Sequence, residues 1–302
     1  MHTLIVGSGF VGSALARLLL RRGDKVVLAS RHPSLRDPDL PWIALDITDL
    51  EQCAEMIHQM DCDAIVLVHG PSDVSWCEEH AEQALWTHEV SAQNIVRSAG
   101  ERRVIMISTD NVFDGTLAAP EEDTPVCPAN NYGKAKLSAE AILRPLSNVS
   151  VLRVSLIYGW DSEENAQWLN FFASSVHRLR SGQRVAAPYD QWCTPVLLED
   201  VVSVIAALLT APEVPPLLHL GGPERVSRAE WASLIAAGSD MSPEMVIPEP
   251  RANGRYASRP KNSCLASKLL GRHPATAAIP VRGVSEGTAL LLHQICRKEV
   301  EA

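Results

Sequence analysis

The chain begins with a short apolar segment that runs directly into a glycine-rich turn, and this pairing restricts the fold more than any other feature of the sequence. His2 to Val6 has the apolar, β-branched character of a buried strand. The turn Gly7-Ser8-Gly9-Phe10-Val11-Gly12 follows, then apolar residues at helical spacing and a second apolar segment, Lys25 to Ala29. A strand, a G-x-G-x-x-G turn, a helix and a second strand in this order predict a βαβ unit that binds a dinucleotide.

Each glycine of this turn has a separate physical role. Gly7 permits the tight turn, Gly9 lets the backbone approach the diphosphate, and Gly12 allows close packing of the helix. The start of the helix then offers its free N–H groups to the phosphates. We therefore expect Gly7, Gly9, Phe10, Val11 and Gly12 to form the phosphate-binding end of a cofactor site.

The end of the second strand indicates which dinucleotide is bound. NAD-binding enzymes usually carry an acidic residue there, which holds the ribose hydroxyls. This chain has Ser30 and Arg31 instead, which suit the 2′-phosphate of NADP, although an arginine here can also be a solvated surface residue. A third short strand is predicted at 42–45, and Asp46 and Ile47 follow it, where Asp46 could reach the adenine amino group or cap the next helix. We expect NADP(H) as the preferred cofactor, with NAD(H) as the alternative.

Further elements extend the pattern along the first half of the chain. We predict strands at 63–68, 103–107 and 149–156 and a long helix at 81–99. His69, Gly70 and Ser72 follow the fourth strand at its carboxyl end, where open α/β sheets bind ligands, so we expect them beside the cofactor and the substrate. The predicted fold class is α/β, with a Rossmann-type doubly wound parallel sheet.

The alternation of strands and helices changes after Gly159. Residues 162–180 have a helical pattern, and a further helix and strand are predicted at 197–209 and 217–220. We expect that helix and strand to return to the first sheet, and the rest to form a smaller C-terminal substrate-binding domain. The domains would be 1–158 plus about 195–225 for the NADP-binding Rossmann domain and 159–194 plus about 226–302 for the substrate-binding cap, with the active site in the cleft between them.

Charge and cysteine content restrict the partners and the compartment. The net charge is −9 and no basic stripe is present, which argues against nucleic acid as a partner. No apolar run approaches the ~20 residues of a membrane span, and the first one is too short for a signal peptide. The seven cysteines are dispersed without a Cys-x-x-Cys pair, as is typical of reduced thiols. We expect a cytoplasmic protein without a metal site, and the sequence leaves a homodimer open.

The helix that follows a proline-rich loop carries the candidate catalytic pair. Tyr132 and Lys136 are four residues apart, so a helix places both on one face. A neighbouring cation favours the phenolate and should lower the pKa of the tyrosine from its usual value near ~10. Such a phenol is a useful acid for reducing a ketone at neutral pH. Alone, Tyr-x-x-x-Lys is a weak signal, and its weight comes from the motifs on either side.

Those motifs are narrower and extend almost to the end of the chain. They are Ser108-Thr109-Asp110-Asn111-Val112-Phe113-Asp114-Gly115, the segment Pro128 to Lys136, and Arg259-Pro260-Lys261-Asn262-Ser263. With the glycine turn, they make the chain resemble an extended short-chain dehydrogenase/reductase. More narrowly, it resembles the dTDP-4-dehydrorhamnose reductase group, which reduces the 4-keto group of nucleotide-linked deoxysugars.

The resemblance implies a role for each matching residue. Thr109 would hydrogen-bond the substrate carbonyl, Tyr132 would protonate its oxygen as hydride arrives from the nicotinamide, and Lys136 would lower the tyrosine pKa and hold the nicotinamide ribose. The residues expected to line the sugar-nucleotide pocket are Ser72, Thr109, Asp110, Asn170, Asp190, Gln191, Arg259 and Asn262. The fork of Arg259 would suit a diphosphate, although any one of these polar residues can instead cap a helix or face solvent.

Three features depart from the pattern of the group. His88 stands where an Asn tied to a proton-relay water is usual, the loop His69 to Asp73 is not of the Asn-Ala-Ala type, and Cys193 and Val196 replace Gly and Thr. A histidine can donate and accept, so a relay could survive, or His88 could be a packing residue. The changed loop borders the nicotinamide and leaves the substrate open.

The sequence therefore supports three hypotheses. The first is an NADPH-dependent reductase of the 4-keto group of a nucleotide-linked deoxysugar. The second is a non-catalytic NADP-binding regulatory subunit, of the kind that resembles this group and binds a synthetase partner. The third is a ketoreductase or epimerase whose substrate has no nucleotide. A 4,6-dehydratase is disfavoured, because Asn111 follows Asp110 where that activity uses a glutamate.

Overall fold

A parallel β-sheet forms the centre of the protein. In this computed structural model, which describes residues 1–161 and 169–301, seven strands of the described chain make up that sheet. Including the strands of the smaller sheets, the described chain contains β1 (His2–Val6), β2 (Lys25–Ser30), β3 (Trp42–Ala44), β4 (Ala64–Leu67), β5 (Arg103–Thr109), β6 (Val149–Val154), β7 (Ile157–Tyr158), β8 (Val185–Pro188), β9 (Trp192–Cys193), β10 (Val196–Leu197), β11 (Leu217–Leu220), β12 (Val226–Ser227), β13 (Val246–Glu249) and β14 (Asn262–Ser263).

Helices cover both faces of this sheet and build the second part of the molecule. They are α1 (Phe10–Arg21), α2 (Leu50–Met60), α3 (Val74–Glu79), α4 (Ala81–Ser98), α5 (Asn131–Leu143), α6 (Phe171–Arg180), α7 (Leu198–Thr210), α8 (Arg228–Gly238) and α9 (Val284–Glu301). Short 3-10 turns lie at Asp110–Val112, Pro243–Met245 and Gly254–Tyr256.

The order of the strands confirms the predicted fold class. The central sheet reads β3-β2-β1-β4-β5-β6-β11, and the paired strands are parallel throughout. The chain order reverses between β1 and β4, which is the topological switch point where such sheets bind ligands beyond the carboxyl ends of their strands. The sequence-derived strands match these elements to within a few residues.

The apolar strands are explained by cover on both faces. Every residue of β4 and β6 is buried, as expected for parallel strands between two helical layers. One core cluster joins the sheet to Leu15 of α1 and Ile205 of α7, and the other joins it to helices α2, α4 and α5. As predicted, α7 and β11 return to the first sheet, where β11 pairs with β6.

A third core cluster belongs to the region that follows β7. It contains Phe172 of α6, Trp231 of α8 and Leu291 of α9, and the Trp231 Nε1 donates to Thr288 Oγ1 over 3.0 Å. The helix predicted at 162–180 begins only at Phe171, because Asn170 caps it, and residues 162–168 of that prediction lie outside the described residues. The exact domain boundaries stay a prediction.

Candidate active site

A cleft of about 890 Å³ opens at the carboxyl ends of the central strands and extends to the region around α6 and α8. Most residues predicted to bind cofactor or substrate line it: Gly7, Gly9, Phe10, Val11, Ser30, Arg31, Asp46, Ile47, His69, Gly70, Ser72, Thr109, Asp110, Tyr132, Lys136, Asn170, Gln191 and Arg259. Gly12, Asp190 and Asn262 are not among the residues that line it.

The glycine turn has the geometry that a diphosphate needs. Gly7 has a φ of +119°, which a glycine tolerates best, and a Cβ on Gly12 would lie 1.9 Å from the Gly7 carbonyl oxygen. A Cβ on Gly9 would meet nothing within 4 Å, so this face of the turn is open. Gly9 is the N-cap of α1 and makes no side-chain cap, which leaves N–H groups at the helix start for an anion. Gly12 therefore contributes packing rather than contact with the cleft.

The end of β2 is more occupied than the sequence indicated. Ser30 Oγ accepts a hydrogen bond from Trp42 Nε1 over 3.0 Å and lies 2.8 Å from Ser8 Oγ, so this hydroxyl is tied into the protein. Arg31 is exposed at the rim of the cleft. Arg36, which sequence reasoning missed, also lines the cleft and donates from Nε to Asp161 Oδ2 over 2.8 Å.

The side chain of Asp46 stabilises the turn that follows β3. Its Oδ1 accepts from the N–H and the hydroxyl of Thr48 over 3.0 and 2.7 Å, and the hydroxyl contact, more than any other, lowers the pKa of this carboxyl. The cap of α2 is Asp49, which accepts from Gln52 N. Asp46 is therefore an ionised group on the cleft wall and not the helix cap.

The end of β5 forms a dense polar turn. Thr109 Oγ1 donates to Asp110 Oδ1 over 3.1 Å, and Asn111 Nδ2 donates to the same carboxyl oxygen over 2.7 Å. Burial raises the pKa of Asp110 to about 7, against the lowering effects of Thr109 and of the Arg228 guanidinium. Asp110 is thus a carboxyl that can hold a proton near neutral pH.

The catalytic helix is fixed to this turn by its first residues. Asn130 caps α5 by accepting from Gly133 N over 2.9 Å, and its Nδ2 donates to Asn111 Oδ1 over 2.7 Å. A Cβ on Gly133 would lie 2.0 Å from the Asn111 carbonyl oxygen, so glycine is what lets α5 approach so closely. The turn of α5 that carries Tyr132 therefore packs directly on the end of β5.

The expectation that Tyr132 has a lowered pKa is wrong for this site. Burial, followed by the charge of Asp110, raises the pKa of Tyr132 above its usual value, while Thr109 acts in the opposite direction. Burial also lowers the pKa of Lys136 to about 8, opposed mainly by the charge of Glu140. Burial is the largest influence on both groups, since it disfavours the charged form of each.

Lys136 has donors left for a bound molecule. Its side chain is only 5% exposed, and within the described part of the chain its ammonium makes no hydrogen bond. A buried ammonium without acceptors is costly. With the open glycine turn, this fits a dinucleotide whose ribose hydroxyl oxygens would accept hydrogen bonds from the Lys136 ammonium.

Of the two histidines near the loop that follows β4, His69 lines the cleft and His88 is buried against Gly70. His88 Nε2 lies 3.2 Å from the carbonyl oxygen of Pro71, and a Cβ on Gly70 would lie 2.3 Å from His88 Cε1. Burial, and then the charge of Lys136, depress the pKa of His88 well below its usual value, and burial lowers the pKa of His69 to about 3. His88 therefore packs under the loop that follows β4 and holds it in place.

Three residues predicted for the substrate side, Asn170, Gln191 and Arg259, line the cleft and also bond to the protein. Asn170 lines the cleft, but its side-chain amide is bonded to the backbone. Its oxygen caps α6, and its Nδ2 donates to Gly159 O over 2.9 Å. Gln191 is 1% exposed and donates from Nε2 to Pro260 O over 3.3 Å, whereas its Oε1 has no partner among the described residues. Arg259 donates from Nη1 to Ser75 Oγ over 3.2 Å.

Asp190 and Asn262 hold loops rather than the cleft. Asp190 Oδ1 accepts from Arg251 N over 2.6 Å. Asn262 donates from Nδ2 to Gly115 O over 2.7 Å and accepts from Arg225 Nη2 over 2.9 Å. Both were predicted to line the sugar-nucleotide pocket, but neither is among the residues that line the cleft.

Arg228 is the main cleft residue that sequence reasoning missed. It is the first residue of α8, directly after the Ser227 N-cap, and is only 7% exposed. The capping box formed by Ser227 and Glu230 is a sequence signal for the start of this helix. That signal places Arg228 at a helix start, and only the packing of α8 against α6, α9 and the strands β8 and β13 places it in the cleft.

Similarity to known proteins agrees with this geometry. A family model described as "RmlD substrate binding domain" matches residues 1–287. The chain belongs to this family. It is an extended short-chain dehydrogenase/reductase, and the predictions of this class and of an oxidoreductase are confirmed.

The relatives of this RmlD-family chain include both a named reductase and a named subunit of another enzyme. "Probable low-salt glycan biosynthesis reductase Agl14" of Haloferax volcanii is 29% identical over 88% of this chain and 89% of its own length. "Methionine adenosyltransferase 2 subunit beta" of Pongo abelii is 31% identical over 74% of this chain and 69% of its own length. The crystal structure of dTDP-4-dehydrorhamnose reductase from Bacillus anthracis in complex with NADP shares the fold, with a TM-score of 0.82 at 20% identity over 97% of this chain and 99% of that one.

The described residues show neither a metal-binding cluster nor a helix that could span a membrane. In the part of the chain that the structure describes, no group of three or more His, Cys, Asp or Glu side chains is placed to hold a metal ion. None of the described helices combines the length and the apolar character needed to cross a bilayer. All seven cysteines are unpaired, and Cys193 lies fully buried in β9, as expected for a packing residue.

Proposed function

We propose that the protein is an NADPH-dependent reductase that acts on the 4-keto group of a nucleotide-linked deoxysugar. The observation that carries this proposal is that Thr109, Tyr132 and Lys136 line the same cleft as an open glycine turn. A family relative named as a glycan biosynthesis reductase supports the reaction class, and a similar fold crystallised with NADP supports the cofactor. The exposed Arg31 at the rim of the cleft suits a 2′-phosphate.

The cleft residues divide the work of such a reduction. When bound, NADPH supplies the hydride. Tyr132 keeps its proton at neutral pH because burial raises its pKa, so it can give that proton to the carbonyl oxygen. Thr109 lines the same cleft as Tyr132 and orients the carbonyl oxygen of the substrate. Lys136, with a pKa lowered to about 8, is still largely protonated at neutral pH and holds the ribose.

The first test is the oxidation of NADPH with a panel of nucleotide-linked 4-keto-6-deoxyhexoses. Consumption of NADPH with at least one sugar, and isolation of the corresponding alcohol, is the expected result. Absence of consumption in the presence of tight NADPH binding would contradict the proposal. In that case simple ketones without a nucleotide, which the unusual His69 to Asp73 loop motivates, would be the next substrates.

A second candidate is favoured by one comparison. The relative named as a subunit of methionine adenosyltransferase suggests that a chain of this family can serve as a regulatory partner. Retention of Thr109, Tyr132 and Lys136 favours catalysis. Binding of NADPH without turnover, together with co-purification of a synthetase subunit, would favour the regulatory function.

A further inference from the structure

The guanidinium of Arg228 is held deep in the cleft between aromatic rings. Its Cζ lies 4.9 Å from the centre of the Phe171 ring and 6.0 Å from that of Tyr256. Rings on this scale attract a cation and fix the plane of a guanidinium. The side chain is 7% exposed, so Arg228 is an oriented, buried charge on the cleft wall.

This charge has no carboxylate partner in the described part of the chain. Arg228 forms no ion pair there, and its Nε is fully buried without a hydrogen-bond acceptor. Arg153 is also buried, but it has a charge partner, because its Nη2 lies 2.7 Å from Glu140 Oε2. Burial of an unpaired cation opposes folding, so an unpaired buried arginine on a cleft wall is a candidate ligand-binding group.

A second unsatisfied group lies in the same cleft. The Oε1 of Gln191 is buried and has no donor among the described residues, and Gln191 lines the cleft together with Arg228. Arg228 N donates to the carbonyl oxygen of Gln191 over 3.1 Å, and the Arg228 guanidinium acts electrostatically on Asp110, which lines the same cleft. A cation with free donors beside a free acceptor suits an anionic group that also carries a hydroxyl.

We propose that Arg228 and Gln191 form a buried subsite at the Asp110 end of the cleft, in which the Arg228 guanidinium binds an anionic oxygen of the substrate, from a phosphate or a carboxylate, and the Gln191 Oε1 accepts from a neighbouring hydroxyl. The proposal rests on the proposed function only in that it expects the bound molecule to be a nucleotide-linked sugar. It differs from the diphosphate contact expected at Arg259, because Arg259 already donates to Ser75 whereas the Arg228 Nε has no acceptor in the described chain.

Ligand binding without turnover tests this subsite. The probes are dTDP, UDP-glucose and UDP-glucuronate, measured by calorimetry on the full-length protein saturated with NADP. We expect Arg228→Gln to weaken binding at least about tenfold and to leave the affinity for NADPH within about twofold. The matched control is Arg225→Gln, because Arg225 is exposed and stacks on Trp192 at 4.0 Å outside the cleft.

The three probes separate the two sources of the anion. A loss shared by all three probes in Arg228→Gln identifies the diphosphate. A loss confined to UDP-glucuronate, which removes its advantage over UDP-glucose, identifies a carboxylate. Equal affinities in wild type and Arg228→Gln, or no binding of any probe to wild type, would overturn the proposal. Because no step depends on turnover, the subsite can stand even if every keto-sugar fails as a substrate.

Thermal stability distinguishes a binding residue from a structural one. In the ligand-free protein, Arg228→Met replaces an unpaired charge with an apolar chain that also packs on aromatic rings, so we expect an unchanged or higher melting temperature. A melting temperature several degrees lower, with the affinity for the probes unchanged, would show that Arg228 serves the fold and would contradict the subsite.

Discussion

At the scale of single residues, burial dominates the electrostatics of the cleft. It raises the pKa of Asp110 to about 7, lowers that of Lys136 to about 8 and lowers that of His69 to about 3. Tyr132 follows the same rule, since its pKa is raised although a lysine stands one helical turn away. Asp110 and Tyr132 therefore both hold protons more tightly than in water, and Tyr132 is in the protonated state that a proton donor needs before hydride transfer.

Tyr132→Phe tests the proton donor. We expect turnover to fall by at least about a thousandfold, because phenylalanine cannot protonate the alkoxide, while NADPH binding survives. The matched control is Tyr158→Phe, since the Tyr158 hydroxyl is buried without a partner among the described residues and outside the cleft lining. Steady-state turnover and NADPH fluorescence titration measure the two effects. Turnover of Tyr132→Phe within a few-fold of wild type would refute the assignment.

Asp110→Asn tests the buried carboxyl through stability. The folded-state pKa of about 7 is above the usual value, so the stability contributed by its proton is complete below about pH 4 and is lost as the pH rises through 7. The free energy of unfolding of Asp110→Asn minus wild type should therefore increase by roughly 1.4 kcal/mol per pH unit across this window and level off above it.

Urea denaturation at several pH values measures this difference. The exposed Asp114→Asn is the control, because the Thr116 contacts lower the pKa of Asp114 and give the opposite sign. A difference for Asp110→Asn that does not change with pH would show that Asp110 ionises normally in the folded protein.

Arg31→Ala tests the choice of cofactor. If Arg31 contacts the 2′-phosphate, its removal should weaken NADPH by about tenfold or more and NADH by much less, since only NADPH carries that charge. Dissociation constants for both cofactors are the readout, with the exposed Arg21→Ala as the control. Equal losses for NADPH and NADH would mean that Arg31 does not contact the phosphate.

At the scale of elements, the site depends on how closely α5 approaches the end of β5. Asn130 caps α5 and also donates to Asn111, so one side chain fixes the start of the helix and its neighbour. Gly133 leaves no side chain between the two backbones. The position of Tyr132 relative to Thr109 is therefore set by one cap and one glycine, and not by the Tyr-x-x-x-Lys spacing alone.

Gly133→Ala tests this packing. Alanine normally stabilises a helix interior relative to glycine by about 1 kcal/mol, but here its Cβ would lie 2.0 Å from a carbonyl oxygen. We expect a lower melting temperature and at least about a tenfold loss of turnover as α5 shifts. Lys134→Ala, on the exposed side of the same turn, should change neither. A Gly133→Ala variant as stable and active as wild type would contradict the role given to this contact.

At the scale of the whole molecule, two packed regions share one cleft. The sheet and its helices supply the glycine turn, the end of β5 and α5, and the region around α6 and α8 supplies Gln191 and Arg228. The groups that fit a cofactor lie on the first region and those that fit a substrate anion on the second. Each ligand should then stabilise the folded protein without competing with the other.

Thermal shift with NADPH, dTDP and both together tests this division. A ligand at about 100 times its dissociation constant adds roughly 2.7 kcal/mol to the stability of the folded state. We expect the shift with both ligands to exceed either alone. A combined shift no larger than that of NADPH alone would mean that dTDP occupies the cofactor site.

The sequence alone determined the parallel sheet and its glycine turn, and it predicted Tyr132 and Lys136 as a catalytic pair. These features depend on local signals, since the apolar period, the glycine turn and the Tyr/Lys spacing each act within one element or one βα unit. The family motifs also predicted which distant segments, such as Asp110 and Gln191, lie near each other.

Only the tertiary structure decided the electrostatics and the substrate side. The pKa of Tyr132 depends on burial by several elements, which no local pattern records. Asn262 and Arg228 have similar sequence settings, each near the start of a short element, yet Asn262 bonds the Gly115 backbone and Arg228 lines the cleft. The direction of a side chain is set by long-range packing, and therefore the residues left without partners could be recognised only after the chain had folded.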